Sequence, residues 1–598
     1  MTTHNRSAEA NPDVPASPQH LLDHALAAHR DGELAIADER YRQIPKSSPF
    51  YADACYYRGF IHFQLQNLPA AIALFDEALA LKPEQPAWLN DRGIAAASLG
   101  EHDDAAVFLQ RAVDLAPQFA LAHCNLAKSL RALGQLGDAL RHFDAALKLD
   151  ASLVDAALNL GGLFEVISRP LDAVESYRHA AAAAPDHPLP QMLLGTVLNH
   201  VQRYREVAAC FERAATLAPD SADARFGVGY AYDGQRDFDN AIASYRAALA
   251  LQPDAPALHN NLAYSLTCVA RYDEAKAHYQ RAIELAPSLS EAHHQLAMIA
   301  LRDGAFREGW RGFEHRRTTQ RGAHDHGTLE SAEWRGEALN GRRVLLTHDQ
   351  GAGDQIQFVR YAALLDARGA KVDVWTSPEL AALFSRAAGV SNVLTVAPAV
   401  PCAYDYWCPM MSVPGRLDDD TIPADVPYLS ADVNAAAAWR ERLAPLADAR
   451  RKIGLVWAGN PRHHLDAFRS GQLAELLPLA DAPNAEWFAL QKGAAAQQRD
   501  DLHERWTIHP LEAELRDFDA TAAAIDALDL VITVDTSVAH LAGALGKPVW
   551  VLLPAQSDWR WMHARDDSPW YPTARLFRQT TPGDWSAVVA DVRAALAS

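Results

Sequence analysis

A helical repeat superhelix followed by a pair of α/β domains is the fold class this sequence predicts, and three observations predict it. A 34-residue period runs through the first half of the chain. It fades near residue 315, where short apolar runs ending in glycine turns take over. At 598 residues with 49% apolar side chains, the chain is too long for one core and rich enough to build several.

Residues 1–17 are polar and proline-containing and are expected to be disordered. They lack the apolar stretch of an export signal, and no apolar run approaches the roughly 20 residues that span a bilayer. The six cysteines, Cys55, Cys124, Cys210, Cys268, Cys402 and Cys408, form no CxxC pair. A reduced, cytoplasmic protein without a membrane span is therefore expected.

From residue 18 to 315 the period fixes the architecture. Prolines at 49, 83, 117, 185, 219, 253 and 287 occupy one lattice, with Ala151 in its empty slot. Glycine recurs at 59, 93, 161, 195 and 229, alanine at seven slots from 78 to 282, and aromatics at eight slots from 41 to 313. This pattern resembles the tetratricopeptide repeat, in which small residues let two antiparallel helices approach, aromatics fill the space between them and proline ends the second helix. Eight full repeats are expected over about 18–289, with a ninth, EAHHQLAMIALRDGAFREGWRGFEHRR, closing the stack. Such a stack presents a concave wall suited to a peptide or helix, and it is equally a scaffold without chemistry. Asn125, Asn159 and Asn261 share one lattice position, as ordinary repeats also allow.

The formal charge of −20 argues against a dedicated nucleic-acid binder, because neutralising phosphates needs a basic face. Arg302, Arg307, Arg311, Arg316, Arg317 and Arg321 make one local basic stretch, read as a solvated connector. A connector is assigned to 316–341.

Next, RRVLLTHD reads as a buried strand, QGAGD as a glycine turn, QIQFVRYAALLDARG as a helix and AKVDVWT as a second strand. This βαβ unit opens a Rossmann-like domain over 342–430. GAGDQI lacks the third glycine of the dinucleotide fingerprint and no acid ends the second strand, so NAD chemistry is not expected. After a linker at 431–451, a second Rossmann-like domain at 452–598 begins with KIGLVWAGNP and runs through WFALQKG to VDTSVAHLAGALGKPVW. Loops at the carboxyl ends of these strands are expected to converge on one cleft.

GAGDQIQF, GLVWAGNP, LQKG and VDTSVAHLAGALGKPVW resemble segments of the ADP-heptose lipopolysaccharide heptosyltransferases. Joined to the repeats, they resemble O-GlcNAc transferases and repeat-containing bacterial flagellin glycosyltransferases. The resemblance spans about 18–580. It implies a GT-B pair of Rossmann-like domains, an inverting mechanism and a nucleotide-sugar donor as substrate, with no further cofactor. It also implies a protein acceptor on the repeats, flagellin among the candidates, gripped through Asn125, Asn159 and Asn261.

Asp354 follows Gly351 and Gly353 at a helix start, and the resemblance implies it as the base for the acceptor hydroxyl; an N-cap is the plainer alternative. Asp535, Thr536 and Ser537 begin a helix whose first N–H groups and dipole suit a donor phosphate, or which they merely cap. His540, one turn on, either reaches the donor or belongs to the core. Lys492 could neutralise the leaving phosphate, and Asn460 and Arg462 could touch donor or acceptor. Trp559, Arg560, Trp561, Trp570 and Tyr571 are read as inter-domain packing. Metal chemistry fits poorly: Asp418–Asp420 reads as a solvated turn, and His463–His464 lacks zinc spacing. The expected function is an inverting, metal-independent protein O-glycosyltransferase. An inactive repeat scaffold and a saccharide or lipid acceptor remain the alternatives.

Overall fold

The computed structural model describes residues 17–319, 329–348, 350–397, 403–418, 420, 422–461 and 466–598. Residues 1–16, Arg321, Cys402, Asp419, Arg462, His463 and His464 lie outside the described residues. Helices of mostly 13 or 14 residues follow one another from Pro18 to Leu285, paired as the lattice predicts. The glycine and aromatic slots explain each other: a Cβ on Gly161 would lie 2.5 Å from the Tyr177 ring, and one on Gly229 would lie 2.6 Å from Tyr245. At these positions the bare glycine lets the two helices of a repeat close on the aromatic between them.

The proline slots explain how each second helix stops. Lys82, Ala116, Ala184, Ala218, Gln252 and Ala286 each end a helix at φ near −130° with ψ near 80°, the conformation forced on a residue before proline. Asp150 adopts nearly the same backbone before Ala151, with φ −143° and ψ 98°. There Asp150 accepts from the Ser152 N–H at 2.9 Å and from its hydroxyl at 2.6 Å, so a local turn replaces the missing ring.

The chain divides into two compact units, one ending at Gln252 and one running from Pro253 to Ser598. The second begins with repeat helices Pro256–Cys268, Tyr272–Leu285, Ser290–Arg302 and Phe306–Phe313. Ala297, Leu301, Trp310 and Phe313 share one core with the α/β layers that follow. Aromatic edges seal this junction: Trp310 meets Phe358 at 5.7 Å and Trp559 at 5.2 Å, both near perpendicular.

The basic stretch is therefore only in part a solvated connector: Arg307 and Arg311 are exposed, while Arg302, Arg316 and Arg317 are drawn against the fold. Arg316 is 3% exposed and donates to Ser412 Oγ at 2.9 Å, Arg317 pairs with Glu333 at 2.6 Å, and Arg302 lies over the Tyr272 ring. Arg307 and Arg311 pair with Asp418, and Arg307 with Asp420, which joins this stretch to the acids read as a solvated turn. Opposite charges 107 or more residues apart in sequence find each other only once the core has closed.

Five parallel strands form the first sheet: β1 (Ala332–Glu333), β2 (Arg343–Thr347), β3 (Lys371–Trp375), β4 (Val390–Leu394) and β5 (Tyr406–Pro409), in the order β1-β5-β2-β3-β4. β1 comes from the segment assigned as a connector. The second sheet holds six parallel strands: β6 (Arg451–Val456), β7 (Ala485–Ala489), β8 (Ile508–Pro510), β9 (Leu530–Val534), β10 (Val549–Leu553) and β11 (Ala574–Arg578). Their order, β11-β10-β9-β6-β7-β8, is that of a doubly wound dinucleotide-binding sheet, with its switch point between β6 and β9. β9 is buried at every position, as a central parallel strand covered on both faces must be. Helix Val433–Ala447 spans most of the assigned linker.

Candidate functional site

Two helix starts meet at the strand ends. After β2, helix Ala352–Phe358 begins with Gly351 as its N-cap, without a side-chain cap. Asp354 is therefore not the cap; its carboxylate reaches across to Arg560. After β9, helix Ser537–Ala544 begins with Thr536 as N-cap. A Cβ on Gly353 would lie 3.2 Å from His540 Cδ2 and 3.5 Å from Ser537 Cα, so the bare glycine sets how closely the two helices approach. The turn GAGD and the stretch DTSVAH, 180 residues apart, thus share one site.

The second helix start is less open than expected. Thr536 Oγ1 accepts from the Val538 N–H at 3.2 Å and touches Thr533 Oγ1 at 3.1 Å, while the Thr536 carbonyl accepts from Ala539 at 3.0 Å. Capping by Thr536, one of the two readings of this residue, is what the geometry shows. Ser537 is half-buried at the head of the helix, where the dipole still favours an anion.

His540 is 6% exposed, stacked on Trp561 at 5.4 Å and 17°, with Nδ1 3.0 Å from the Tyr571 hydroxyl. Burial, reinforced by the guanidinium groups of Arg560, Arg360 and Arg469, holds its pKa well below the usual histidine range, so it stays neutral. Asp535 shows the opposite response. Burial and the neighbouring Asp558 carboxylate raise its pKa to about 6, against the Trp561 N–H and the cations Arg469 and Arg560.

Arg560, read from sequence as packing, is the hub. Nε donates to Gln357 Oε1 at 2.6 Å, Nη1 to Asp558 Oδ1 at 2.8 Å and Nη2 to Asp354 Oδ1. The carboxylates hold its pKa above the usual arginine range despite burial. Nothing local in SDWRW signals a partner 206 residues upstream. Trp559, Trp561, Trp570 and Tyr571 are each 3% exposed or less and pack, as expected.

The loops after β6 and β7 adjoin. Gln491, 3% exposed, accepts the N–H groups of Trp457 and Ala458 at 3.0 and 2.9 Å and donates to the Ala458 carbonyl at 3.1 Å. Gly459 N–H donates to Ser470 Oγ at 2.8 Å, and exposed Asn460 follows it. Lys492 is exposed, and its ammonium donates to the Leu515 carbonyl at 2.5 Å. Asp535, Thr536, Ser537 and His540 are thus gathered with Gly351, Gly353 and Asp354, while Asn460 and Lys492 stand on neighbouring strand ends of the second sheet.

The repeat asparagines do not make an unbroken row, since Leu193 and Gly227 occupy slots between Asn159 and Asn261. Asn125 Nδ2 donates to Asn90 Oδ1 at 2.9 Å, and Asn159 Nδ2 donates to the Asp155 carbonyl at 2.8 Å. Asn261 Oδ1 accepts from Asn260 at 3.2 Å, and it lies in the second compact unit, whereas Asn125 and Asn159 lie in the first.

Comparison with known proteins identifies the repeats. The tetratricopeptide repeat family matches residues 22–86, 75–118, 124–188, 201–256 and 229–267, and a second description of that repeat matches 257–289. The Est1 DNA/RNA binding domain matches 275–308, about one repeat in length. Protein FlbA of Caulobacter vibrioides is 27% identical over 327 residues, which cover 50% of this chain and 54% of that protein. The chain thus matches about half the length of FlbA. The TPR repeat-containing thioredoxin TTL4 of Arabidopsis thaliana is 36% identical over 84 residues, 14% of this chain and 12% of that protein. Among solved structures, YrrB, described as a TPR protein with an unusual peptide-binding site, is 23% identical with a TM-score of 0.30, over 31% of this chain and 96% of that one. MamA is 23% identical with a TM-score of 0.27, over 28% and 91%.

Proposed function

From tetratricopeptide repeats through the first 290 or so residues, followed by two parallel α/β sheets, we propose that this chain is an inverting, metal-independent protein O-glycosyltransferase of the GT-B kind. It moves a sugar from a nucleotide donor to Ser or Thr of a protein acceptor held by the repeats. The observation that carries the reading is the meeting of the two helix starts, with Gly353 against His540 and Asp354 beside the head of helix Ser537–Ala544. A base and an anion seat brought into one site are what displacement at an anomeric carbon by an acceptor hydroxyl requires.

In this reading Asp354 takes the acceptor proton, Gly351 leaves room beside it for the sugar, and Gly353 lets the two helix starts close together. The Thr536–Ser537 helix start seats the donor phosphate, with Asp535, His540, Asn460 and Lys492 around it. Gln491, by fixing the β6 and β7 loops together, keeps that side rigid. Asn125, Asn159 and Asn261 contact the acceptor, for which the family resemblance suggests flagellin, and the setting is cytoplasmic. Among the described residues no helix is long and apolar enough to cross a membrane.

Calorimetric titration of the full chain with UDP, ADP, GDP and CDP tests the reading. One of them binds, and the Thr536→Ala/Ser537→Ala double variant weakens that binding about tenfold or more, in keeping with the loss of two charge-assisted contacts. Failure of every nucleotide to bind the folded protein refutes it and leaves a repeat-based protein-interaction role. Intact-mass comparison of filament proteins from cells with and without the gene then identifies sugar and acceptor together.

A further inference from the structure

The function proposed above gives Arg560 no task, yet each of its guanidinium nitrogens holds a partner at the strand ends. One helix supplies two of its three partners: Asp354 and Gln357 lie three residues apart on Ala352–Phe358 and so share a face. Gln357 is fully buried, and Asp558 accepts both the Arg560 backbone N–H at 3.0 Å and Nη1 at 2.8 Å. The turn that carries Arg560 is braced from behind by the last repeats. Trp559 packs edge-on against Trp310 at 5.2 Å, and His563 reaches Asp303 at 3.3 Å. Nε and Nη1 are therefore anchored, and Nη2 closes on Asp354.

This arrangement opposes turnover in two ways. A carboxylate held in an ion pair is a weaker base, and a guanidinium whose three nitrogens each already serve a protein partner has fewer N–H groups left to offer a phosphate. Phosphate oxygens match the arginine fork as well as a carboxylate does and carry more charge, so a diphosphate competes for the same nitrogen.

We propose that Arg560 is a donor-operated latch on Asp354: Nη2 holds the carboxylate, and an arriving nucleoside diphosphate competes for Nη2 and releases its ion pair with Asp354. The inference rests on the glycosyltransferase reading and deepens it. Released, Asp354 accepts the proton of the acceptor hydroxyl as the new C–O bond forms. The bond from the anomeric carbon to phosphate oxygen breaks, and the nucleotide leaves with the electron pair, its added charge facing Arg560. Arg560 acts as a positioning residue for the base and as a phosphate ligand, and base strength is withheld until donor is present.

A double-mutant cycle on the full chain tests the latch, with the best-binding nucleoside diphosphate of the UDP, ADP, GDP and CDP set as probe. Asp354→Asn removes the competitor for Nη2 and tightens binding about tenfold, while Arg560→Gln weakens it about tenfold. In the Arg560→Gln background, Asp354→Asn then gives no gain. An equal gain in both backgrounds means that Asp354 acts only through its charge and overturns the latch, while leaving the glycosyltransferase reading intact. No nucleotide binding by the wild-type chain overturns both. Should Arg560→Gln fail to fold by circular dichroism, Arg560→Lys replaces it in the cycle, because one ammonium cannot hold three partners at once.

Discussion

Replacing His540 with phenylalanine removes one titrating group from the site while keeping an aromatic ring on Trp561. In the folded protein His540 is neutral because burial and three arginines oppose its charge, whereas in the unfolded chain it titrates near 6.5. A histidine with a depressed folded pKa binds fewer protons folded than unfolded, so its contribution to stability is present above pH 6.5 and falls as pH drops. With a folded pKa below the tested range, protonation of the unfolded histidine costs about 1.4 kcal/mol between pH 7.5 and 5.5. His540→Phe should lose about 1 kcal/mol at every pH, because the Tyr571 hydroxyl loses its contact at 3.0 Å, but it should escape this extra loss. Asp535, with its raised pKa, works in the other direction: its stabilisation is present below 3.8 and is lost as pH rises through about 6. Both proteins carry it, so the comparison cancels it. The assay is urea unfolding at pH 7.5, 6.5 and 5.5 by tryptophan fluorescence. If the stabilities of wild type and His540→Phe change in parallel, His540 titrates normally and the packed, neutral imidazole is refuted.

Two adjacent glycines test the repeat lattice. Gly161→Ala places a Cβ 2.5 Å from the Tyr177 ring, which Glu165 holds through the Tyr177 hydroxyl at 2.5 Å, and should destabilise by about 1–3 kcal/mol. Gly162→Ala meets only the Tyr177 hydroxyl at 3.6 Å and should be neutral or stabilising by up to about 1 kcal/mol, with thermal melts as the readout. A chain beginning at Pro253 keeps the second compact unit whole and should give a cooperative melt. One beginning at Leu301 loses Ala297 and the helices around it and should aggregate on size exclusion.

The sequence determined by itself whatever depends on local spacing. The 34-residue lattice placed the helix pairs, because glycine, aromatic and proline at fixed offsets act within one repeat or between neighbours. Apolar runs ending in GAGD and DTS placed β2 and β9 and the helices after them, because a buried parallel strand and a glycine turn are written in contiguous residues. What only the tertiary structure decided were contacts between elements far apart in the chain. The fusion of the last repeats with the α/β core, the pairing of Arg307 and Arg311 with Asp418, and the switch between β6 and β9 all arise when surfaces meet. The role of Arg560 belongs with them. Two of its three partners come from helix Ala352–Phe358, brought by a core that spans both sheets against the turn that carries Arg560 and Asp558, and its charge is affordable in that buried place only because Asp354 and Asp558 arrive there with it.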